Sequence, residues 1–130
     1  MPQLNFSAQF APAVEDGTKR QTIRAMRKVP IKLDNTLHLF TGLRTKQARR
    51  LRQPERCKAA LLIGIRLKPL KDSVYKVYRS LEVKLQHKGT LRREEIEQLA
   101  KADGFASVEE FAAWFLPKGT EQFKGQLIKW

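Results

Sequence analysis

The most apolar run of the chain, CKAALLIGIRLK at residues 57–68, is the feature that most constrains the fold. It has the length of a strand and is shorter than the roughly 20 apolar residues that a membrane-spanning helix requires. Pro69 and the turn residues 71–73 end it, and the following segment, VYKVYRSLEVKL at 74–85, is rich in β-branched and aromatic residues. We therefore predict a central strand joined by a turn to a second strand.

The remaining segments alternate between strand and helix patterns. Strands are predicted at 4–10, around Leu37 and Leu39 up to Gly42, and within 121–130, because apolar and polar residues alternate there. A short helix is predicted at 11–16, where Gly17 is placed to end it. Residues 43–53 fit either a short exposed helix or an irregular loop.

Two helices are predicted in the C-terminal half. The first spans about 91–102, with Thr90 as its N-cap and Gly104 after its end. Ser107 and Glu110 have the spacing of a capping box and begin the second. Strands occur in runs with helices inserted between them, rather than in strict βαβ alternation, which favours an α+β fold.

Length and composition indicate one domain covering residues 1–130. Hydrophobic residues make up 42% of the 130, enough for a folded core. The single cysteine and two distant histidines argue against a disulfide framework and against a metal site, and no cofactor is expected. The first residues lack a secretory pattern, so we expect a cytoplasmic protein that has no membrane partner.

Positive charge is strong and unevenly distributed. The net charge is +13, and residues 1–52 hold eleven Lys and Arg against three acids, whereas residues 91–121 hold four against seven. Such a field attracts polyanions to one face of a protein. The charge pattern therefore predicts a polyanion as the partner.

The segment GTKRQTIR at residues 17–24 is the main candidate site. Gly17 frees the backbone, and Lys19, Thr22 and Arg24 could hold an anion together. In a regular strand Lys19 would face away from Thr22 and Arg24, but turn residues can break that parity. A basic loop that holds no ligand fits the same pattern about equally well.

The pattern Gly-x-Lys-x-x-Thr-Ile-Arg at 17–24 resembles the ASCH domain, a branch of the PUA-like superfamily. The segments LDNTLHLFTGLR at 33–44 and DGF at 103–105, with the helix that follows it, are similar to further blocks of that family. The resemblance implies a PUA-like β-barrel of about five or six strands with helices packed on it. It also implies RNA binding, which many members are thought to perform.

One compact bacterial type of ASCH protein suggests an enzyme instead. It hydrolyses 4-acetylcytidine to cytidine with a lysine, a threonine and a glutamate, and the resemblance assigns these roles to Lys19, Thr22 and Asp103. Asp103 is one methylene shorter than glutamate, and it could equally be a helix-end residue beside the turn at Gly104. The enzymatic alternatives are therefore an amidohydrolase acting on an acylated pyrimidine nucleoside, or a ribonuclease.

A second basic segment favours a polymeric partner over a free nucleoside. If 43–53 is helical, Lys46, Arg49 and Arg50 cluster on one side and can contact phosphates. The predicted nucleic-acid-binding residues are Lys19, Arg20, Thr22, Arg24, Arg44, Lys46, Arg49 and Arg50. The aromatic residues less clearly assigned to the core, and so available to stack on a base near the cleft, are Phe40, Tyr75, Tyr78 and Trp114.

Overall fold

The computed structural model describes residues 2–69 and 79–130, which form an α+β fold. Its strands are β1 (Gln3–Phe6), β2 (Gln21–Ala25), β3 (Thr36–Thr41), β4 (Arg49–Arg50), β5 (Glu55–Arg56), β6 (Ala59–Pro69), β7 (Arg79–Leu85), β8 (Gly89–Thr90) and β9 (Gln122–Lys129). Its helices are α1 (Ala11–Asp16), α2 (Arg93–Ala102) and α3 (Val108–Phe115).

The smaller sheet is built on β3. Strand β1 pairs with β3 in parallel, with Leu4 opposite Leu39, while β4 and β5 pair with β3 in antiparallel fashion. Leu4, Leu37 and Leu39 are buried, as their alternation with polar residues predicts. The side chain of Thr41 fixes the end of the β1–β3 pair by donating a hydrogen bond to the carbonyl oxygen of Phe6 at 2.7 Å.

The larger sheet has the strand order β2-β9-β6-β7-β8. The apolar run lies in its middle strand, β6, which pairs with β9 on one side and β7 on the other. Ile63 and Ile65 face the core, whereas Arg66 on the same strand is exposed. The prediction of a central strand is therefore confirmed, because β6 has a hydrogen-bonded neighbour on both sides.

The two sheets and the helices share one hydrophobic core. Leu39 of the smaller sheet, Ile65 of the larger sheet and Phe111 of α3 are all 0% exposed. The α+β class is confirmed, but the described strands form two sheets rather than one closed barrel. The described residues contain nine strands instead of the five or six predicted. Three of the nine, β4, β5 and β8, have only two residues each, and strands this short leave no alternation pattern in the sequence.

Several predicted boundaries differ from the structure. The first strand ends at Phe6 rather than at residue 10, because Ser7–Phe10 form the turn that leads into α1. Residues 79–85 form a strand as predicted, while residues 70–78, which include Tyr75, Tyr78 and the predicted turn at 71–73, lie outside the described residues.

The helical alternative for residues 43–53 is wrong. These residues form a turn followed by the short strand β4, in which Arg50 is opposite Phe40 and Arg49 is opposite Thr41. The backbone N–H of Leu51 continues this pairing by donating to the carbonyl oxygen of Leu39 at 2.9 Å. Pairing with β3 thus supplies the hydrogen bonds that a helix would otherwise provide.

The two C-terminal helices are confirmed, with one cap corrected. Thr90 is part of β8, and the N-cap of α2 is Arg92, whose backbone N–H donates to the carboxylate of Glu95 at 3.0 Å. Ser107 caps α3 as predicted, by accepting a hydrogen bond from the backbone N–H of Glu110 at 3.1 Å. Within residues 2–69 and 79–130, no helix is both long and apolar enough to cross a membrane.

Candidate functional site

A small pocket brings together the residues that the sequence singled out. Its volume is about 110 Å³, and its polar lining includes Lys19, Thr22, Arg24 and Asp103. These side chains come from the loop after α1, from β2 and from the end of α2, so residues 84 positions apart meet there. Lys19, Thr22, Arg24 and Asp103 therefore converge in the structure, which the sequence left open for Asp103.

The backbone around Gly17 places Lys19 in the pocket. Gly17 ends α1 with a φ of +88°, a conformation that glycine adopts without strain. The backbone N–H of Lys19 then donates to the carbonyl oxygen of Ala13 at 2.9 Å, before β2 begins at Gln21. Because Lys19 precedes the regular strand, its side chain can share a pocket with Thr22 and Arg24.

The side chains of Lys19 and Asp103 form a buried ion pair. They are 3% and 5% exposed, and Lys19 Nζ lies 3.3 Å from Asp103 Oδ1. The same ammonium donates a hydrogen bond to the backbone carbonyl oxygen of Asp103, and the side-chain amide of Gln21 donates to Asp103 Oδ1 at 3.5 Å. Asp103 is thus both the residue that ends α2 and a member of the pocket.

Burial shifts both members of this pair towards their neutral forms. Desolvation lowers the pKa of Lys19 below its ordinary value, although the negative charge of Asp103 opposes that shift. Desolvation likewise raises the pKa of Asp103, and the charge of Lys19 opposes it. A lysine that can lose its proton at a lower pH than usual is able to act as a base or a nucleophile.

Thr22 and Arg24 form the second polar pair of the pocket. Arg24 Nε donates to Thr22 Oγ1 at 3.0 Å, and the guanidinium lies 4.7 Å from the centre of the Phe6 ring. A hydroxyl that accepts this bond keeps its own proton available as a donor. The ring and the hydroxyl together orient Arg24, so that its charge is held at one edge of the pocket.

Aromatic rings form the apolar walls of the pocket. Phe10 contacts both Phe105 and Trp114, with ring centres 5.3 Å apart in each case. Trp114 lines the pocket and is 50% exposed, unlike the two buried phenylalanines. It is therefore the aromatic side chain at this site with surface left to stack on a ligand.

A larger groove adjoins the pocket. It has a volume of about 660 Å³ and shares Asn5 and Arg24 with the pocket. The exposed arginines Arg27 and Arg44 also line it. The backbone N–H of Leu43 donates to the side-chain oxygen of Asn5 at 2.9 Å, which attaches the turn bearing Arg44 to β1.

Arg27 was not among the predicted site residues. It lies beyond the last residue of β2, three positions after Arg24, in the basic run that begins at Lys19. Extending the candidate segment to the end of that run would have included it. Which of the basic residues face the groove depends on how β1 lies beside β2, and the sequence does not reveal that arrangement.

The other predicted cations lie outside the pocket and the groove. Arg20 donates to the carbonyl oxygen of Trp130 at 3.2 Å, and Arg49 forms an ion pair with Glu15. Arg50 lies over the ring of Phe40 at 4.8 Å, and Lys46 is exposed in the turn before β4. The predicted cluster of Lys46, Arg49 and Arg50 on one helical side is therefore wrong, because a strand directs adjacent side chains to opposite faces.

The His, Cys, Asp and Glu side chains of the described ranges do not gather in groups of three or more that could hold a metal ion. Comparisons of the chain with protein-family models, with curated proteins and with solved structures gave no match.

Proposed function

We propose that this protein binds single-stranded nucleic acid, RNA in particular, with phosphates in the groove and a base at the pocket. The observation that supports this most directly is that the two cavities are neighbours, with Asn5 and Arg24 lining both. One cavity offers the exposed guanidinium groups of Arg27 and Arg44, and the other offers aromatic walls with hydrogen-bonding groups. Phosphate contacts and base contacts need these two kinds of surface side by side.

The sizes of the two cavities agree with this division. Pockets for whole small molecules usually measure about 300–1,000 Å³. The groove, at about 660 Å³, lies within that range, whereas the pocket, at about 110 Å³, has room for part of a ligand only. A ligand with a bulky anionic part and a small planar part fits this pair of cavities.

We also propose that the chain is an ASCH domain with a PUA-like fold. The support is that Lys19, Thr22 and Asp103, which the resemblance names, meet in one pocket although Asp103 is far from the other two in sequence. The aspartate in place of the family's glutamate is accommodated by a direct contact with Lys19.

Replacing Arg27 and Arg44 together by glutamine is expected to weaken RNA binding about tenfold. Two exposed phosphate contacts of up to about 1 kcal/mol each are lost. The slope of the logarithm of the binding constant against the logarithm of salt concentration should fall in magnitude by about 1.4, because each contact with a single strand contributes about 0.7. Fluorescence anisotropy with a labelled single-stranded RNA over a salt series measures both quantities.

A matched control is the double variant Lys101→Gln with Lys118→Gln. It removes the same charge from exposed positions that lie outside the pocket and the groove. Its affinity should stay within about twofold of the unchanged protein, since distant exposed charges are largely screened. Equal losses in the two double variants would mean that net charge, rather than the groove, determines binding.

The buried pair of Lys19 and Asp103 favours a second candidate function, an amidohydrolase that acts on an acylated pyrimidine nucleoside such as 4-acetylcytidine. In that reaction water adds to the acetyl carbon, the bond from this carbon to the exocyclic nitrogen breaks, and acetate and cytidine are released. Lys19 in its neutral form would take a proton from water and return it to the exocyclic nitrogen as the bond to that nitrogen breaks, and the Thr22 hydroxyl would donate a hydrogen bond to the acetyl oxygen.

Incubation with 4-acetylcytidine, followed by chromatographic detection of cytidine, tests this candidate. We expect Lys19→Arg to abolish turnover, because arginine keeps the charge but cannot be deprotonated in proteins. Thr22→Val, which leaves the ion pair in place, should lower turnover by about 100-fold, the usual cost of losing one positioned donor. Turnover that persists in Lys19→Arg would exclude lysine as the base, and cleavage of the labelled RNA in the binding assay would indicate a ribonuclease instead.

A further inference from the structure

A second basic surface lies on the larger sheet, outside the pocket and the groove. It consists of Arg66 and Lys68 on β6, Lys84 on β7 and Lys124 on β9, and we call it the sheet-face patch. All four side chains are exposed, and alternate residues of the same strands, such as Ile65 and Val83, are buried in the core. The four cations therefore share the outward face of the sheet.

The strand register places the patch residues in adjacent rows. Gly64 lies between Lys84 and Lys124, since it is opposite both of them. A Cβ atom built on Gly64 would meet nothing within 4 Å, so the backbone between the two lysines is open to solvent. A phosphate could approach the sheet there with an ammonium group on each side.

One carboxylate organises the cations of the patch. Glu82 has a side chain that is 10% exposed, and its oxygens lie 2.7 Å from Arg66 Nε and 3.7 Å from Lys84 Nζ. Lys68 Nζ lies 3.6 Å from the same carboxylate. The single negative charge of Glu82 cannot neutralise both Arg66 and Lys84, so these two side chains and the neighbouring Lys124 keep a positive field that attracts anions.

The patch lies on the same sheet face as the groove residue Arg24. Gln126 of β9 is opposite Arg24, and Lys124 is two residues away on β9, which returns it to the same face. With strands about 4.8 Å apart and residues about 3.3 Å apart, the backbones of Arg24 and Lys124 are separated by about 8 Å. Gln126 itself is 5% exposed, and its side-chain amide is hydrogen-bonded to the backbone of Ile31, so the segment at Ile31 covers the sheet face at that point. An RNA strand that runs from Arg24 to Lys124 has to pass beside this segment, where Leu62, opposite Gln126 on β6, is 51% exposed.

We infer that the sheet-face patch is a second contact surface for the phosphates of a single-stranded RNA that leaves the groove beside Arg24. This inference rests on the proposed nucleic-acid binding. It extends the path of the bound RNA from the groove over β9, β6 and β7. A short RNA that fills only the groove and the pocket does not reach the patch, whereas a longer RNA does. Affinity for RNA therefore depends on length, and the patch is responsible for the difference.

The test compares single-stranded RNAs of about 4 and about 16 nucleotides, the limits of site size in a common single-strand-binding fold. For the double variant Lys84→Gln with Lys124→Gln, affinity for the long RNA should fall about tenfold. The magnitude of its salt slope should fall by about 1.4, while affinity for the short RNA should not change. The control is again Lys101→Gln with Lys118→Gln, which should leave both affinities within about twofold.

The outcomes separate this inference from the function on which it rests. If the short RNA binds and the patch variant binds the long RNA as well as the unchanged protein does, the second surface is refuted and the groove stands. If the long RNA depends on the patch, but Arg27→Gln with Arg44→Gln has no effect on either RNA, the groove is refuted. Absence of binding to both RNAs refutes the proposed function itself.

Discussion

Replacing Asp103 by alanine is expected to lower the free energy of unfolding by about 3 kcal/mol. The substitution leaves the ammonium of Lys19, which is 3% exposed, without its counter-charge. Breaking a buried ion pair by removing one partner usually costs about 3–5 kcal/mol. We expect the lower end of this range because the backbone carbonyl oxygen of residue 103, which also accepts a hydrogen bond from Lys19, remains in the variant.

The decrease in the free energy of unfolding that Asp103→Ala causes should become smaller as the pH rises. The carboxylate of Asp103 opposes the desolvation that lowers the pKa of Lys19 in the folded state, so this pKa falls further in the variant, whereas in the unfolded chain lysine titrates near 10.5. Between those two pKa values the unfolded state binds more protons, so stability increases with pH. Urea unfolding at neutral and at alkaline pH measures the difference.

A double variant, Lys19→Met with Asp103→Leu, separates the charge effect from the loss of contacts. Replacing both charges by apolar side chains removes the unpaired ion, and such replacements are often neutral in stability. The double variant should therefore recover most of the free energy that Asp103→Ala loses, while binding at the pocket stays impaired. If the free energy of unfolding of Asp103→Ala is instead within about 1 kcal/mol of that of the unchanged protein, the ion pair is not buried in the way described.

Replacing Gly125 by alanine is expected to destabilise the protein by about 3 kcal/mol or more. A Cβ atom at this position of β9 would overlap the backbone carbonyl oxygen of Arg24 and lie 2.8 Å from its carbonyl carbon. Overpacking usually costs about 1–3 kcal/mol, and here the obstacle is a backbone atom of the paired strand, which cannot rotate away. Strand β2 would have to separate from β9 at Arg24, so RNA binding should weaken as well.

Gly64 provides a matched control on the neighbouring strand. It lies in β6, opposite Lys124, and a Cβ there meets nothing within 4 Å. Gly64→Ala should therefore leave stability unchanged or raise it by about 0.5 kcal/mol, because alanine restricts the unfolded chain. Thermal unfolding of both variants measures the contrast, and similar melting temperatures would contradict the close approach of β2 to β9 at Gly125.

The position of Lys19 shows where strand alternation fails to predict the direction of a side chain. Strict alternation over residues 19–24 separates Lys19 from Thr22 and Arg24, yet all three line one pocket. The reason is local, because the turn at Gly17 keeps Lys19 out of the regular strand, which begins at Gln21. Glycine after a short helix predicted such a turn, but the direction of the side chain depends on Asp103, which a different element supplies.

For the basic residues after Gly42, the sequence did not determine even the secondary structure. Composition showed that Arg44, Arg49 and Arg50 are cationic, and it allowed either a helix or a loop for the segment. Pairing with β3 selected a short strand, so that Arg50 lies over Phe40 while Arg49 contacts Glu15. Only Arg44 of these three lines the groove, because the turn that bears it is attached to β1.

The amino-acid pattern by itself determined the α+β class, the central strand and the two C-terminal helices, since these depend on apolar periodicity and on helix-ending residues within a few positions. Tertiary structure alone decided that β1 pairs with β3 in parallel, and that the end of α2 brings Asp103 to Lys19. It also decided that Arg24 lines the pocket with that pair, and that Arg27 and Arg44 line the adjoining groove. The physical reason is that pairing between distant strands and the burial of charge depend on contacts between residues far apart in the chain, which local periodicity does not record.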